Sequence, residues 1–415
     1  MSVAEKRKLS SIPAYSWKGI LDGSIMKKYE FYIDDHFPFR GSLIDLAFVL
    51  NEKKGFQGKN NVRFITNTNN NSSNNEKNID LNKAALDINY LANAESTSSK
   101  GLLIIAGRCF QVFGGSKGVV KTYIDMIQEY RDLLPANVRI FNCIVPTSSS
   151  FNFVKEYDYL RDNEFKNIDV AYSMSKAGII NVKAKEALVN HQNEYLYFAT
   201  DHHWTGLGAY YAYTAFCASA GLIPMPLSKM TYKVKNNFLG TLYHKTKDKS
   251  LKDNVDSVVY FISPVTTQPK ILAEFATGVN SYGVFLGGDI PHQVFKTSVK
   301  NGKSVLIIKN SFGNPFATYL INNYETVHVV DYRYYNEGVL KLIKNENIND
   351  IIFFHNVFSA NTMSHTQRQS IIKNAIKEGV KPEQKPIIKK PAKLPTVNKT
   401  KENDDSQIKE QDSIN

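Results

Sequence analysis

Short apolar runs alternate with stretches of helical period along most of the chain. Strands are predicted over residues 102–106, 138–145, 195–198, 258–262, 304–309, 326–331 and 351–354, each apolar and of strand length. Helices are predicted between them: 119–134 after the Gly114-Gly115-Ser116 turn, 206–220 with Asp201 or Thr205 as its cap, 316–323 and 338–344. Strands alternating with helices mean βαβ units and hence an α/β fold built on a parallel sheet. The first third is less regular. A short helix is read after Asp22 as its cap, with Ile25, Met26 and Tyr29 on one face. A turn follows over 34–40, where Pro38 keeps Phe37 out of the helical region. An amphipathic helix is predicted over 41–53 through Leu43, Leu46, Ala47 and Leu50, and Phe64-Ile65 opens a strand. Residues 167–181 give no clear pattern. The resulting division is an N-terminal lead over 1–30 and one α/β domain over 31–377, followed by a patternless tail over 378–415 that is expected to be disordered. Within the domain, 67–78 is an Asn-rich surface loop and 228–262 a small β-rich insertion.

At 415 residues the chain is long enough for two average domains or one large one, and its 42% hydrophobic content supports a substantial core. The net charge of +12 leaves a solvated basic surface or attraction to an anionic envelope or polymer as the two readings. No helix-turn-helix, zinc-finger or RNP-type string accompanies it, so nucleic acid is not an expected partner. The three cysteines, Cys109, Cys143 and Cys217, fit no metal spacing, and their odd number argues against a disulfide framework. No run of about 20 apolar residues predicts a membrane span, and the opening Met-Ser-Val-Ala-Glu-Lys-Arg lacks the apolar core of a signal peptide.

The chemistry concentrates at Asp201-His202-His203-Trp204-Thr205. An Asp two residues before a His can orient that imidazole as a general base. The competing reading makes the same residues a helix cap followed by core aromatics. Metal is not expected: on an extended segment His202 and His203 point to opposite sides. A nucleophile is supplied by Ser311, at a turn between the 304–309 strand and a helix, where its own amide and that of Phe312 can donate to an oxyanion; the alternative is that Ser311 is merely a cap. Arg333, after the 326–331 strand, either binds a carboxylated or carbonyl-bearing substrate at the sheet edge or pairs with Asp331. No cofactor is expected.

The Asp201–Thr205 string resembles the signature of the DHHW proteins, which are similar to alginate O-acetyltransferase-like proteins of the SGNH hydrolase superfamily. Further matches stand at 32–40 (Tyr-Ile-Asp-Asp-His-Phe-Pro-Phe-Arg), 145–147, 238–243, 287–288, 311–314 and 330–334, so the resemblance spans roughly residues 8–360. It implies an SGNH-hydrolase-like parallel sheet flanked by helices, with the order of catalytic motifs permuted: Asp201 and His203 precede Ser311. It implies a Ser311–His203–Asp201 triad, His202 and Trp204 in supporting places, and Asn356 at the position of an oxyanion-holding Asn, with a plain loop turn as the alternative for Asn356. The implied activity is O-acetylation of an extracellular or cell-wall polysaccharide, with a membrane-bound acyltransferase as donor partner. The implied location is the cell envelope outside the cytoplasm, the anchor being absent from this chain. A carbohydrate acetylesterase, a non-catalytic polysaccharide-binding subunit and a cytoplasmic location are the alternatives.

Overall fold

The computed structural model describes residues 11–39, 43, 46, 62–66 and 99–375. Apart from the helical Leu43 and Leu46, the helix expected over 41–53 lies outside these residues, as do the Asn-rich loop and the tail from 378. Three strands, β1 (Arg63–Thr66), β2 (Ser99–Ile105) and β3 (Arg108–Phe113), form an antiparallel sheet. In chain order there follow β4 (Arg139–Val145), β5 (Ile179–Asn181), β6 (Thr231–Phe238), β7 (Asp256–Ile262), β8 (Thr267–Gln268), β9 (His292–Thr297), β10 (Ser304–Lys309), β11 (Thr326–Asp331) and β12 (Asp350–Asn356). β6 and β7 pair with each other in the stretch expected to be β-rich. The remaining seven make one central sheet in the order β5-β4-β12-β10-β11-β9-β8.

From β5 to β11 this sheet is parallel, and β9 and β8 close it as antiparallel edge strands. β10 sits at its centre with every residue buried, the pattern of a strand covered on both faces. Alternate side chains serve opposite layers. Val305 and Ile307, with Ile352 and Phe354, pack beneath Tyr213 and Phe216 of the Gly206–Ala220 helix. Leu306 and Ile308, with Ile351 and Phe353, pack beneath Tyr123, Ile127 and Tyr130 of the Lys117–Leu133 helix. The register pairs Lys309 with Asp331 on one side and Phe354 on the other, so the residues after β10, β11 and β12 emerge at one sheet edge.

Four expectations need correction. The run 195–198, buried at Leu196, Tyr197 and Phe198 but exposed at Tyr195, is not a strand of the sheet. Tyr197 makes one isolated bridge to Trp204, and the neighbouring groups bond locally: Thr205 N–H donates to the Leu196 carbonyl at 2.8 Å and Phe198 N–H to that of His203 at 3.4 Å. Asp201 therefore lies at the tip of a closed loop. Asp22 ends the Trp17–Leu21 helix, and the Ser24–His36 helix starts after Gly23, whose φ of 71° suits glycine. That helix also runs into the expected turn as far as His36, stopping where Phe37 takes the extended conformation Pro38 demands (ψ 128°). Four strands, β3, β5, β8 and β9, had no prediction. The three cysteines are buried and free, and burial pushes the Cys217 thiol up to about 12. Among the described residues no helix is long and apolar enough to cross a membrane.

Candidate active site

Ser311 begins a short turn directly after β10, between Asn310 and the Asn314–Leu320 helix. The Asn310 side chain accepts from the Phe312 amide at 3.1 Å, and the Gly313 amide donates to the Asn310 carbonyl at 3.0 Å. Gly313 is required here, because a Cβ would lie 2.7 Å from the Cβ of Lys309.

The Asp201–Trp204 loop meets this turn from a distant part of the chain. The two are tied by the buried indole of Trp204, whose Nε1–H donates to the Phe312 carbonyl at 2.9 Å. Its ring packs between those of Phe312 and Phe354, at 5.3 and 5.6 Å. His203 thereby comes to Ser311, with Nε2 2.9 Å from Oγ. On its other side, His203 Nδ1 is 2.6 Å from Oδ1 of Asp201, which is fully buried. A carboxylate only accepts, so Nδ1 carries the hydrogen and Nε2 is left to receive the Ser311 proton.

Asp201 is held at both oxygens. Oδ1 also accepts from the His203 amide at 3.0 Å, and Oδ2 accepts from the Thr241 amide at 2.7 Å and hydroxyl at 3.0 Å. The loop is anchored further out by Asp256 at the start of β7, which accepts from the amides of Ala199 (2.9 Å) and Thr200 (2.8 Å) and from the Tyr195 hydroxyl. Tyr282 covers the imidazole of His203 and donates to the Ser311 carbonyl at 3.0 Å. Thr241, Asp256 and Tyr282 were not found by sequence reasoning. Thr241 lies in a Gly-Thr-Leu-Tyr string that carried only a weak signal, and the segment around Tyr282 carried none.

Other expectations resolve differently. The Phe312 amide is committed to Asn310, so it is not an oxyanion donor in this structure. Asn356 is buried and caps the Val357–Ala360 helix, accepting from the Ser359 amide at 2.9 Å. Arg333 pairs bidentately with Asp331 (2.9 and 2.7 Å) and reaches Asp289 at 2.9 Å, which is the structural reading. Lys309 lies within the same cluster, 3.1 Å from Asp331. Burial among these groups would raise the Asp289 carboxyl, but Arg333 and then Lys309 outweigh it and hold it well below the usual carboxylate range. His202 and His203 do not point to opposite sides, because the segment bends instead of extending; their rings lie 3.8 Å apart. Asp201, His202 and His203 therefore bring three ligand-type atoms within 4.8 Å of one another, although each His has a nitrogen engaged within the protein: His202 Nδ1 with Thr241 at 2.6 Å, and His203 Nδ1 with Asp201.

The model of the DHHW protein family matches residues 57–330. The chain belongs to the DHHW family. A DHHW family protein from Eubacterium siraeum has a similar crystal structure: 27% identity, 67% of this chain and 96% of that one covered, TM-score 0.62. Bacillus cereus PatB1 with a sulfonyl adduct shares the fold at 17% identity, covering 64% of this chain and 96% of its own, with a TM-score of 0.54. The O-acetyltransferase domain of Pseudomonas putida AlgJ overlays with a TM-score of 0.33 at 12% identity, over 63% of this chain and 84% of that domain. No curated protein matches. In this DHHW chain the four signature residues divide their work: Asp201 and His203 line up on Ser311, His202 contacts Thr241, and Trp204 fastens the loop to the serine turn.

Proposed function

We propose that this DHHW protein is an acyl-transfer enzyme that O-acetylates an extracellular or cell-wall polysaccharide through Ser311, His203 and Asp201. One observation carries the reading: Ser311 Oγ, His203 and buried Asp201 stand in line at 2.9 and 2.6 Å. In the first step Ser311 Oγ attacks the acetyl carbonyl while His203 Nε2 takes its proton. The tetrahedral adduct then collapses, the C–O bond to the donor breaks, and His203 returns the proton to the leaving oxygen. In the second step a sugar hydroxyl gives its proton to His203 and attacks the acetyl-serine, which releases the acetylated sugar and restores Ser311. Asp201 keeps the imidazole in the tautomer that both steps need and offsets the imidazolium charge that forms between them.

The fold in this reading is an SGNH-like sheet whose serine strand is β10, late in the chain, so that the Asp-His pair comes first. The β6–β7 stretch is an addition to that sheet. The protein works outside the cytoplasm beside a membrane-bound acyltransferase that supplies acetyl groups, and the resemblance of the DHHW string to alginate O-acetyltransferase-like proteins supports that placement. The experiment is incubation with p-nitrophenyl acetate, with and without oligosaccharide acceptors, with intact-mass detection of acetyl on Ser311. Acetylated sugar as product supports the transferase; acetate alone, with acceptors present, makes it an acetylesterase. Full turnover by Ser311→Ala rejects the triad.

A further inference from the structure

The hydroxyl of Thr241 stands between two side chains, with Oγ1 3.0 Å from Asp201 Oδ2 and 2.6 Å from His202 Nδ1. A hydroxyl has one proton to give, and a carboxylate can only accept. The proton is therefore directed at Asp201, and the oxygen presents a lone pair to His202. His202 Nδ1 must then carry a hydrogen, which fixes its tautomer without reference to any other contact. His203 carries its hydrogen on the same atom, because its Nδ1 faces Asp201 Oδ1. The carboxylate thus has two arms: His203 donates directly to Oδ1 at 2.6 Å, and His202, whose Nδ1 stands 3.6 Å from Oδ1 and beyond hydrogen-bond reach of it, connects to Oδ2 through the Thr241 hydroxyl. The two rings lie 3.8 Å apart.

The backbone is built for this approach. The Thr241 amide also donates to Oδ2, at 2.7 Å. The residue before it, Gly240, leaves no room for a side chain: a Cβ there would stand 2.2 Å from the Cβ of Asp201 and 2.5 Å from Oδ2. Thr200 pins the same point, accepting from the Gly240 amide at 2.9 Å and receiving the Tyr243 amide at its carbonyl at 3.0 Å.

We propose that Thr241 is a positioning residue: its hydroxyl, held by His202, fixes the Asp201 carboxylate that orients His203, so that His202 serves the triad through Thr241 and not by contact with substrate. This rests on the triad of the proposed function. Thr241→Val, nearly isosteric, removes the hydroxyl and keeps the amide. It lowers kcat roughly 10- to 100-fold, the range for one lost hydrogen bond to a charged group, and leaves KM for the acetyl ester unchanged. Thr241→Ser restores kcat. His202→Leu has an effect of similar size, and His202→Asn, whose side-chain amide sits where Nδ1–H does, recovers part of it. The double variant Thr241→Val/His202→Leu is no slower than the slower single, because both act along one arm. Proton NMR of the resting protein reads the same arm without turnover: the low-field signal of the His203–Asp201 hydrogen shifts in Thr241→Val and returns in Thr241→Ser. Wild-type kcat in Thr241→Val, or losses that multiply in the double variant, overturns the proposal. If Ser311→Ala keeps full turnover, the triad itself has failed, and an unmoved NMR signal in Thr241→Val then overturns the positioning role independently.

Discussion

The phenol ring of Tyr282 lies flat against the imidazole of His203, centroids 4.0 Å apart and planes 15° apart, while its hydroxyl donates to the Ser311 carbonyl at 3.0 Å. One side chain thus fixes the face of the base and the backbone of the nucleophile. Burial, and then the charges of Asp201 and Asp289, push its own ionisation well above the usual range for tyrosine, so it stays a neutral donor at working pH. Tyr282→Phe keeps the stack and loses the donor. Its kcat is expected to fall about 3- to 10-fold, the size of one net hydrogen bond, with the melting temperature little changed. Tyr282→Leu, which loses the stack as well, is expected to fall further and to melt lower. Steady-state kinetics with an acetyl ester, alongside thermal unfolding, separates the two; equal activity in wild type and Tyr282→Leu would remove Tyr282 from the site.

Gly240→Ala tests how tightly the Asp201 loop is packed. The added methyl would overlap the Asp201 Cβ at 2.2 Å, and its neighbour is a buried carboxylate, not the end of a flexible chain. Overpacking of this kind costs about 1–3 kcal/mol. Activity is expected to drop more steeply than stability, because the movement is forced on Asp201 itself. Urea unfolding read against kcat checks this; a variant with wild-type values on both counts would show that the loop yields freely.

Stability is expected to fall on acidification through His328. This side chain is buried in β11 beside His292, whose Nε2 is 3.4 Å from its Nδ1. Burial, and then His292, lower its pKa from 6.5 to about 4. The unfolded chain therefore binds a proton there that the folded chain refuses between those values, so stability rises with pH across that window and is lost as pH falls through it. Denaturant midpoints at pH 7 and pH 5 should differ more in the wild type than in His328→Gln. An identical pH slope in the variant assigns the loss to other groups.

Chelation is expected to leave acetyl-ester turnover unchanged. His203 Nδ1 is bound to Asp201 and His202 Nδ1 to Thr241, and the acyl transfer described above routes no step through an ion. Activity measured before and after EDTA, and again after zinc is added back, decides it. Loss on chelation with recovery on zinc would move the Asp201, His202 and His203 cluster from proton transfer to metal chemistry.

The sequence by itself determined the central layers and picked out the three side chains that meet at the candidate site. β10 and β11 fall on the predicted residues, 304–309 and 326–331, because fully buried parallel strands are apolar without alternation and stand out against helical period. Ser116 and Thr205 cap the predicted helices for an equally local reason, a side-chain oxygen within reach of an amide three residues on. Asp201, His203 and Ser311 were legible because the carboxylate and imidazole sit two residues apart and the serine follows a strand. Only tertiary structure decided what surrounds them. The run 195–198 has the composition of a strand, yet its backbone groups bond to its own loop and to Arg108, whose guanidinium donates to the Tyr197 carbonyl at 3.0 Å, so pairing and not propensity set its state. Asn356 and Arg333 stand at the sheet edge as expected, but a helix cap and an ion pair with Asp331 engage them. Thr241 and Tyr282 come from 40 and 79 residues after Asp201 and His203, and no local pattern records such a contact. Neighbours in sequence share a period; neighbours across a folded core share only space, and that is set by how the loops close over the sheet.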